Sequence, residues 1–391
     1  MQREKSDLVQ IEDSLEKLRL YVEKENFKGY DPYDTLNSFF KFRYLGKFTA
    51  VLALQFQKRN PINIRPLLGI RKDHNPKALG LFLYSYCKLQ QSDPTADHSK
   101  QIEHLFRELK TNYSKGYSGY CWGYNFDWAS SGKYIRAYSP NIVVTSFVAD
   151  GIYAYYQLRK DPEALEILKS TQNFILKDLP LTETPHGLCF SYTTLGVDLC
   201  YNASLLAAKT LSQIYTLTND PSLLEKSKKA VDYVVSKQFP DGHWNYSIDE
   251  KTGIERAQID FHQGYVIDCI QDILRNTGLD DQQYQTAIKK GLEYYRNEQF
   301  FEEGRSLWRI PKEYPVEIHN QSQGIITFSR HDQYRNFAVQ VGKWTIDNMQ
   351  DEKGHFYYRK LKNYTNKISY MRWSQAWMFR ALTELSIALK N

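Results

Sequence analysis

Several large functional classes are excluded by what this sequence lacks. No stretch approaches the about 20 consecutive apolar residues needed to cross a bilayer. The opening MQREKSDLVQIEDSLEKL is polar where a secretion signal would carry an apolar centre. The five cysteines (Cys87, Cys121, Cys189, Cys200 and Cys269) are odd in number and contain no C-x-x-C pair. Set mostly among apolar or aromatic neighbours, they predict reduced structural thiols in a cytoplasmic protein. No H-x-x-x-H pair or cysteine cluster offers metal spacing, and no G-x-x-x-x-G-K-[ST] or G-x-G-x-x-G loop precedes a helix. Neither a metal nor a nucleotide cofactor is therefore expected. A G-x-S-x-G nucleophile elbow is also missing, as are the Asp-rich motifs of terpene cyclases; Asp280-Asp281 reads as the start of a helix. The 51 basic and 45 acidic residues leave a net charge of +6 without a Lys/Arg stripe, which argues against a nucleic-acid partner.

What is present is a weak internal repeat. Six segments open on a polar residue and continue as a mostly apolar helix, beginning at Asn75, Asn141, Asn202, His262, Asn320 and Arg372. Their intervals are 66, 61, 60, 58 and 52 residues, room for about two helices and their connections. Between them lie amphipathic runs such as SLLEKSKKAVDYVVSKQF, which puts Leu223, Leu224, Ser227, Ala230, Val231, Val234 and Val235 on one stripe and lysines on the other. Asp161-Pro162 and Asp220-Pro221 supply helix-start chemistry. Twelve helices thus alternate between an outer, half-solvated layer and an inner, buried one. The last inner segment, with Trp373, Trp377 and Met378, is as apolar as the middle ones, where an open solenoid would carry a polar cap. The pattern predicts an all-α fold: one (α/α)6 toroid over residues 1–391, with an extra helix inserted at about 35–59.

Each outer-to-inner connection is long and aromatic, and each return is short. Because the helices alternate in direction, all six long connections emerge at one end, beside the inner-helix N-termini, which favour anionic groups. The 30 tyrosines and 7 tryptophans include many in these connections. Flat rings alternating with Asp, Asn, Arg and His suit the C–H faces and hydroxyls of sugars. The predicted basin takes wall residues Tyr33, Trp122, Tyr124, Tyr192, Trp244, Tyr246, Tyr265, Trp308 and Trp373, with the helix-start residues Asn75, Asn141, Asn202 and Asn320 at its floor. Asp31, Asp34 and Asp127 add carboxylates at the same end, although Pro32 makes GYDPYD a turn in which Asp can be structural.

Three clusters carry candidate chemistry. Asp260 and His262 open the fourth inner helix; a carboxylate beside an imidazole fixes its tautomer and suits a general base. The alternative is a helix cap at Asp260 and a loop contact at His262. Glu317 and His319 precede Asn320 at the fifth inner helix, where a plain polar helix start competes. In SYMRW, Tyr370 and Arg372 can share a ligand, the Arg holding a carboxylate and the Tyr exchanging a proton.

KGYDPYDTLNS at 28, DGHWNY at 241, QIDFHQGYVIDCI at 258 and FYYRK…SYMRWSQAWMFRAL from 356 resemble the α/α-toroid proteins encoded with bacterial capsule and exopolysaccharide biosynthesis genes, the VpsJ-like group. The similarity spans nearly the whole chain. It implies the same fold, a setting in surface-polysaccharide assembly and association with assembly proteins; it implies no particular reaction. The layout is more distantly similar to polysaccharide lyases, uronyl epimerases and six-hairpin glycosidases.

The leading expectation is an enzyme acting on a poly- or oligosaccharide that contains uronate, by proton abstraction beside the carboxylate, as in β-elimination or C5-epimerisation. Arg372, with Asn202 or Asn320, would neutralise the uronate, and His262 and Tyr370 would exchange the proton. The alternatives are a glycoside hydrolase using carboxylates such as Asp127, Asp260 and Glu317, or a non-catalytic glycan-binding or assembly protein.

Overall fold

The computed structural model describes residues 2–40, 42–129 and 134–390; Lys41 of the inserted segment and positions 130–133 of the second long connection lie outside them. In chain order the described helices are α1 (Gln2–Lys24), α2 (Lys47–Arg59), α3 (Pro76–Ser92), α4 (Ser99–Thr111), α5 (Ile142–Arg159), α6 (Pro162–Lys177) and α7 (Tyr201–Thr218). They continue with α8 (Pro221–Val235), α9 (His262–Thr277), α10 (Gln282–Gln299), α11 (Ile318–Ser329), α12 (Arg335–Met349) and α13 (Trp377–Lys390). The outer layer is α1, α4, α6, α8, α10 and α12; the inner layer is α3, α5, α7, α9, α11 and α13, with α2 the insertion.

The sequence dictates this division through burial periodicity. Outer α4 buries Ile102, Leu105, Phe106 and Leu109, one stripe at three-and-four spacing. Inner α5 is buried on every side from Ile142 to Ile152. Asn75 and Asn141 cap α3 and α5 by accepting from the Lys77 and Val144 N–H groups, and Asp161, Asp220 and Asp281 cap the outer helices likewise. Each inner helix packs on the next, and α13 packs on both α11 and α3 while α1 packs on α12 and α13. The ring is therefore a closed α/α toroid, as its apolar last segment predicts. Gly354 marks the seam: at φ +95° its Cα lies so close to α1 that a Cβ would come within 2.3 Å of the Lys17 carbonyl oxygen.

One side-chain device recurs where the long connections meet the inner helices. Gln263, Gln321 and Gln375 each accept, through the amide oxygen, from the backbone N–H of Trp244, Ser306 and Phe356, and donate back to a nearby carbonyl. Thr145 performs the same service for Trp122. These bonds satisfy buried loop backbone that would otherwise be costly to desolvate. Short strands then stitch neighbouring connections together: Leu199–Cys200 pairs with Ser247–Ile248, and Val316–Glu317 with Arg359–Lys360. The sixth inner segment enters α13 through a π-helical turn, Met371–Ala376, which carries Arg372 and Trp373.

Candidate active site

Where the inner-helix N-termini converge, the long connections enclose a cavity of about 650 Å³. Every inner segment contributes to it. Lys77 comes from α3, Asn141 from the cap of α5, Asn202 from α7, His262 and Tyr265 from α9, His319 and Asn320 from α11, and Arg372 and Trp373 from the π-helical turn. The connections add Tyr33, Tyr124, Tyr192, Tyr246, Asp260, Trp308 and Glu317.

The most organised group sits at the start of α9. Asp260 precedes the helix by two residues and is 3 % exposed. Its Oδ1 accepts from the His262 N–H at 3.2 Å and lies 2.5 Å from His262 Nδ1; Oδ2 accepts from Gln258 at 2.8 Å and faces Arg309 Nε at 3.2 Å. Asp260 therefore works at once as a helix-start acceptor and as the orienter of the imidazole. Burial alone would raise its pKa, but the charge and hydrogen bonds of His262, with Arg309 behind, hold the carboxyl below its ordinary value. Whenever the imidazole carries a single proton, a carboxylate at this distance keeps it on Nδ1. That leaves Nε2, for which no hydrogen bond exists among the described residues, as a lone-pair donor on a ring that lines the cavity. Tyr246 packs edge-on to the His262 ring at 4.8 Å.

A second imidazole lies beside the first. Phe261 stacks on His262 and on His319, with centroids 4.1 Å apart in each case. His319 Nε2 is 2.7 Å from the Tyr265 hydroxyl. Burial, reinforced by the charges of Lys77, Arg372 and His262, holds His319 well below the ordinary histidine range; burial pushes Tyr265 well above the usual phenol value. Both are neutral near pH 7.

Glu317 fixes the aromatic wall. It accepts from Trp373 Nε1 at 2.7 Å, from Trp308 Nε1 at 3.2 Å and from Arg359 at 2.7 Å, so two indoles are held by one buried carboxylate. Asn320, expected to touch the ligand, lines the cavity but donates to the Leu307 and Trp308 carbonyls and so anchors the same wall. Tyr33 meets Trp373 edge-on at 5.6 Å.

Other expected residues lie elsewhere. Tyr370 is fully buried, perpendicular to Tyr358 and beneath the Arg65 guanidinium, and burial pushes its hydroxyl up to about 12. It does not border the cavity and cannot partner His262. Arg372 does border it, but its Nε and Nη2 donate to Asp31 at 2.6 and 2.8 Å, so only Nη1 is not engaged by that carboxylate. Asp31 and Asp34 are thus behind the wall; Asp34 pairs with Arg65 at 2.7 Å, and its burial raises the carboxyl to about 6. Asn75 caps α3 and donates to Asn125. Asp127 is bound by the Tyr134 hydroxyl and the Ala137 N–H. Trp122 and Trp244 are wholly buried: each indole N–H donates to the carbonyl of a residue in the last turn of an outer helix, Leu109 and Val234. They close helix ends and do not stack on a ligand.

Sequence reasoning missed Lys77. It is 3 % exposed, lines the cavity, and forms no ion pair among the described residues. Phe147, Trp377 and Tyr265 surround its ammonium at 4.4, 5.0 and 5.9 Å from the ring centroids. Burial, then the charge of Arg372, lowers its pKa well below the ordinary lysine value, with Asp31 opposing. The signal was available: in NPKALGLFLYSYC, Lys77 is the one charge in an otherwise uncharged inner helix start.

No family model and no curated protein matches this chain. Its fold does match solved structures. A sugar epimerase from a ruminal bacterium superposes with a TM-score of 0.65 at 14% identity, over 82% of this chain and 90% of that one. The cellobiose 2-epimerase of Bacillus thermoamylovorans gives 0.63 at 13% identity, with the same coverages of 82% and 90%. A family 76 α-mannanase of Bacteroides thetaiotaomicron gives 0.60 at 15% identity, over 79% and 85%. These likenesses establish the α/α-toroid fold.

Proposed function

We propose that this chain is a carbohydrate-active enzyme of bacterial surface-polysaccharide biosynthesis that moves a proton at a carbon beside a carboxylate of an acidic glycan, as a lyase or C5-epimerase does. The observation that carries this reading is the Asp260–His262 dyad, with Nδ1 held 2.5 Å from an ionised carboxylate on the cavity wall. That arrangement makes Nε2 a base and stabilises the imidazolium once the proton arrives. The likeness in fold to sugar epimerases and a mannanase supports a saccharide substrate, and the resemblance of its motifs to those of capsule-cluster proteins supports the setting.

In this reading the uronate carboxylate lies against Lys77 and the inner-helix N-termini, replacing the counter-charge the lysine lacks. His262 Nε2 takes the proton from the adjacent carbon. The electron pair delocalises into the carboxylate, whose growing charge Lys77 stabilises. In elimination the pair then forms a carbon–carbon double bond and expels the neighbouring glycosidic oxygen. In epimerisation it accepts a proton on the opposite face. The Tyr265 hydroxyl, held by His319, is the donor in either case, the part that Tyr370 is too deeply buried to play.

A hydrolase needs one carboxyl kept protonated as a general acid. Asp260 is held ionised, and Glu317 accepts from three donors at once, so neither suits that part. The test is incubation with a panel of uronate-containing and neutral oligosaccharides. Unsaturated or C5-inverted products from acidic glycans alone are expected; reducing ends without unsaturation, or binding with no product, would overturn the mechanism.

A further inference from the structure

The segment inserted between α1 and α3 has a surface unlike the rest of the molecule. In α2, Ala50, Leu54 and Gln57 face inward, and Ala50 and Leu54 share a small core with Ala129. The opposite face carries Phe48, Leu52 and Phe56 at four-residue spacing, exposed by 74, 52 and 65%. In the flanking sequence of the same insertion, Leu45, Ile62 and Leu67 are exposed by 61, 68 and 78%. A helix apolar on both faces expects a cover.

The charge of the segment says what that cover is. From Thr35 to Lys72 the sequence contains no aspartate or glutamate and eight basic residues. Arg65 is spent on Asp34 and Lys72 on Glu25. Lys47, Arg59 and Arg71 are exposed without an ion pair among the described residues, and Lys41 and Arg43 add to the sequence charge. Large apolar side chains rimmed by cations, with no anion among them, match the interface of an anionic bilayer, where rings enter the acyl boundary and cations meet headgroups. A protein partner would need an apolar face of equally one-sided acidic rim.

We infer that the α2 insertion docks this protein peripherally on an anionic lipid surface, with Phe48, Leu52 and Phe56 inserted and Lys47 and Arg59 against headgroups. No described helix is long and apolar enough to cross a membrane, so the attachment is interfacial. The insertion also borders the cavity: Lys58 of α2 lines it, and Trp128, whose strand packs on α2, lines it too. Docking therefore sets the cavity mouth beside the bilayer, within reach of a glycan carried on a lipid. This inference does not depend on which reaction the cavity performs.

The experiment is sedimentation of the full chain with vesicles of phosphatidylcholine alone and of phosphatidylcholine with phosphatidylglycerol. Binding to the anionic vesicles, weakening as salt is raised, is expected. Phe48→Ser/Leu52→Ser/Phe56→Ser should reduce it by more than about tenfold. Lys47→Glu/Arg59→Glu should reduce it by at least about fivefold per reversed charge, with the apolar face intact. Both variants should keep the circular dichroism spectrum and soluble-glycan binding of the parent. Equal binding to neutral vesicles, no binding to either, or concentration-dependent self-association that the serine variant abolishes without any vesicle binding would overturn the inference.

Discussion

Two layers of buried charge lie one above the other inside the barrel, and only in one of them is every cation paired with a carboxylate. Below the cavity, Asp150 accepts from Lys209 at 2.5 Å, from Gln213 at 2.9 Å and from Arg380 at 3.3 Å. Arg380 and Arg330 converge on Glu384 at 3.0 and 2.9 Å, and Arg330 reaches Asp272 at 3.4 Å. Every cation there has a carboxylate. At the cavity floor, Lys77 is as deeply buried yet has none, and the His262 ring has one nitrogen committed and one without a partner among the described residues. Equal burial with unequal satisfaction separates structure from chemistry: the lower layer fixes how the inner helices meet, and the upper leaves unmet valences for a ligand.

The largest expected effect comes from breaking the upper layer at its dyad. His262→Asn should lower turnover by about 10²–10⁴-fold while thermal unfolding stays close to the parent. In the lower layer the balance reverses. Glu384→Gln leaves Arg330 and Arg380 without their shared carboxylate and should cost about 3–5 kcal/mol in denaturant unfolding, with per-molecule turnover retained.

The lower layer also carries a pH signature. The Glu384 carboxyl is lowered to about 2: burial would raise it, but Arg330 and Arg380 prevail. Its stabilisation is therefore present above the unfolded value near 4.5 and lost as pH falls toward 2. Asp268 is raised to about 6, chiefly by burial. It binds a proton in the folded state that the unfolded chain has released, so stability from this group falls as pH rises from about 4 to 6. Asp268→Asn, whose amide oxygen can keep the Gln323 and Thr327 donors, should recover about 2 kcal/mol at pH 7 and flatten that slope. The smallest effect, and the sharpest contrast, is Lys77→Met. Replacing a buried lysine whose pKa burial depresses by an apolar side chain should not lower stability in denaturant unfolding at neutral pH, because the folded state is relieved of a desolvation cost. The same substitution should weaken uronate-oligosaccharide binding about tenfold by calorimetry while sparing neutral sugars.

The fold was legible because outer and inner helices differ in apolar periodicity, a local property of sequence. The end of the barrel at which the cavity opens was legible too, since connection length alternates. Individual roles were less so. Trp122 and Trp244 look like wall residues in sequence, but their N–H groups close outer-helix ends. Arg372 and Tyr370 sit beside each other in the chain, yet Asp31 and Arg65, more than 300 residues away, decide where each points. Lys77, Asp150 and Lys209 are visible as isolated charges in apolar stretches of inner helix, but which of them is paired depends on contacts between helices. The exposed face of α2 is legible only in part, because its spacing marks a helix and not which side is covered.

The central claim is that His262 moves a proton on sugar carbon. Incubating the parent and His262→Asn with a uronate oligosaccharide in deuterated water, and reading the carbon beside the carboxylate by NMR, tests it directly. The parent should lose that proton, giving deuterium at the carbon or a double bond in the product, and the variant should leave it in place. Turnover of the glycan with that proton fully retained, or equal exchange in both proteins, would contradict the account.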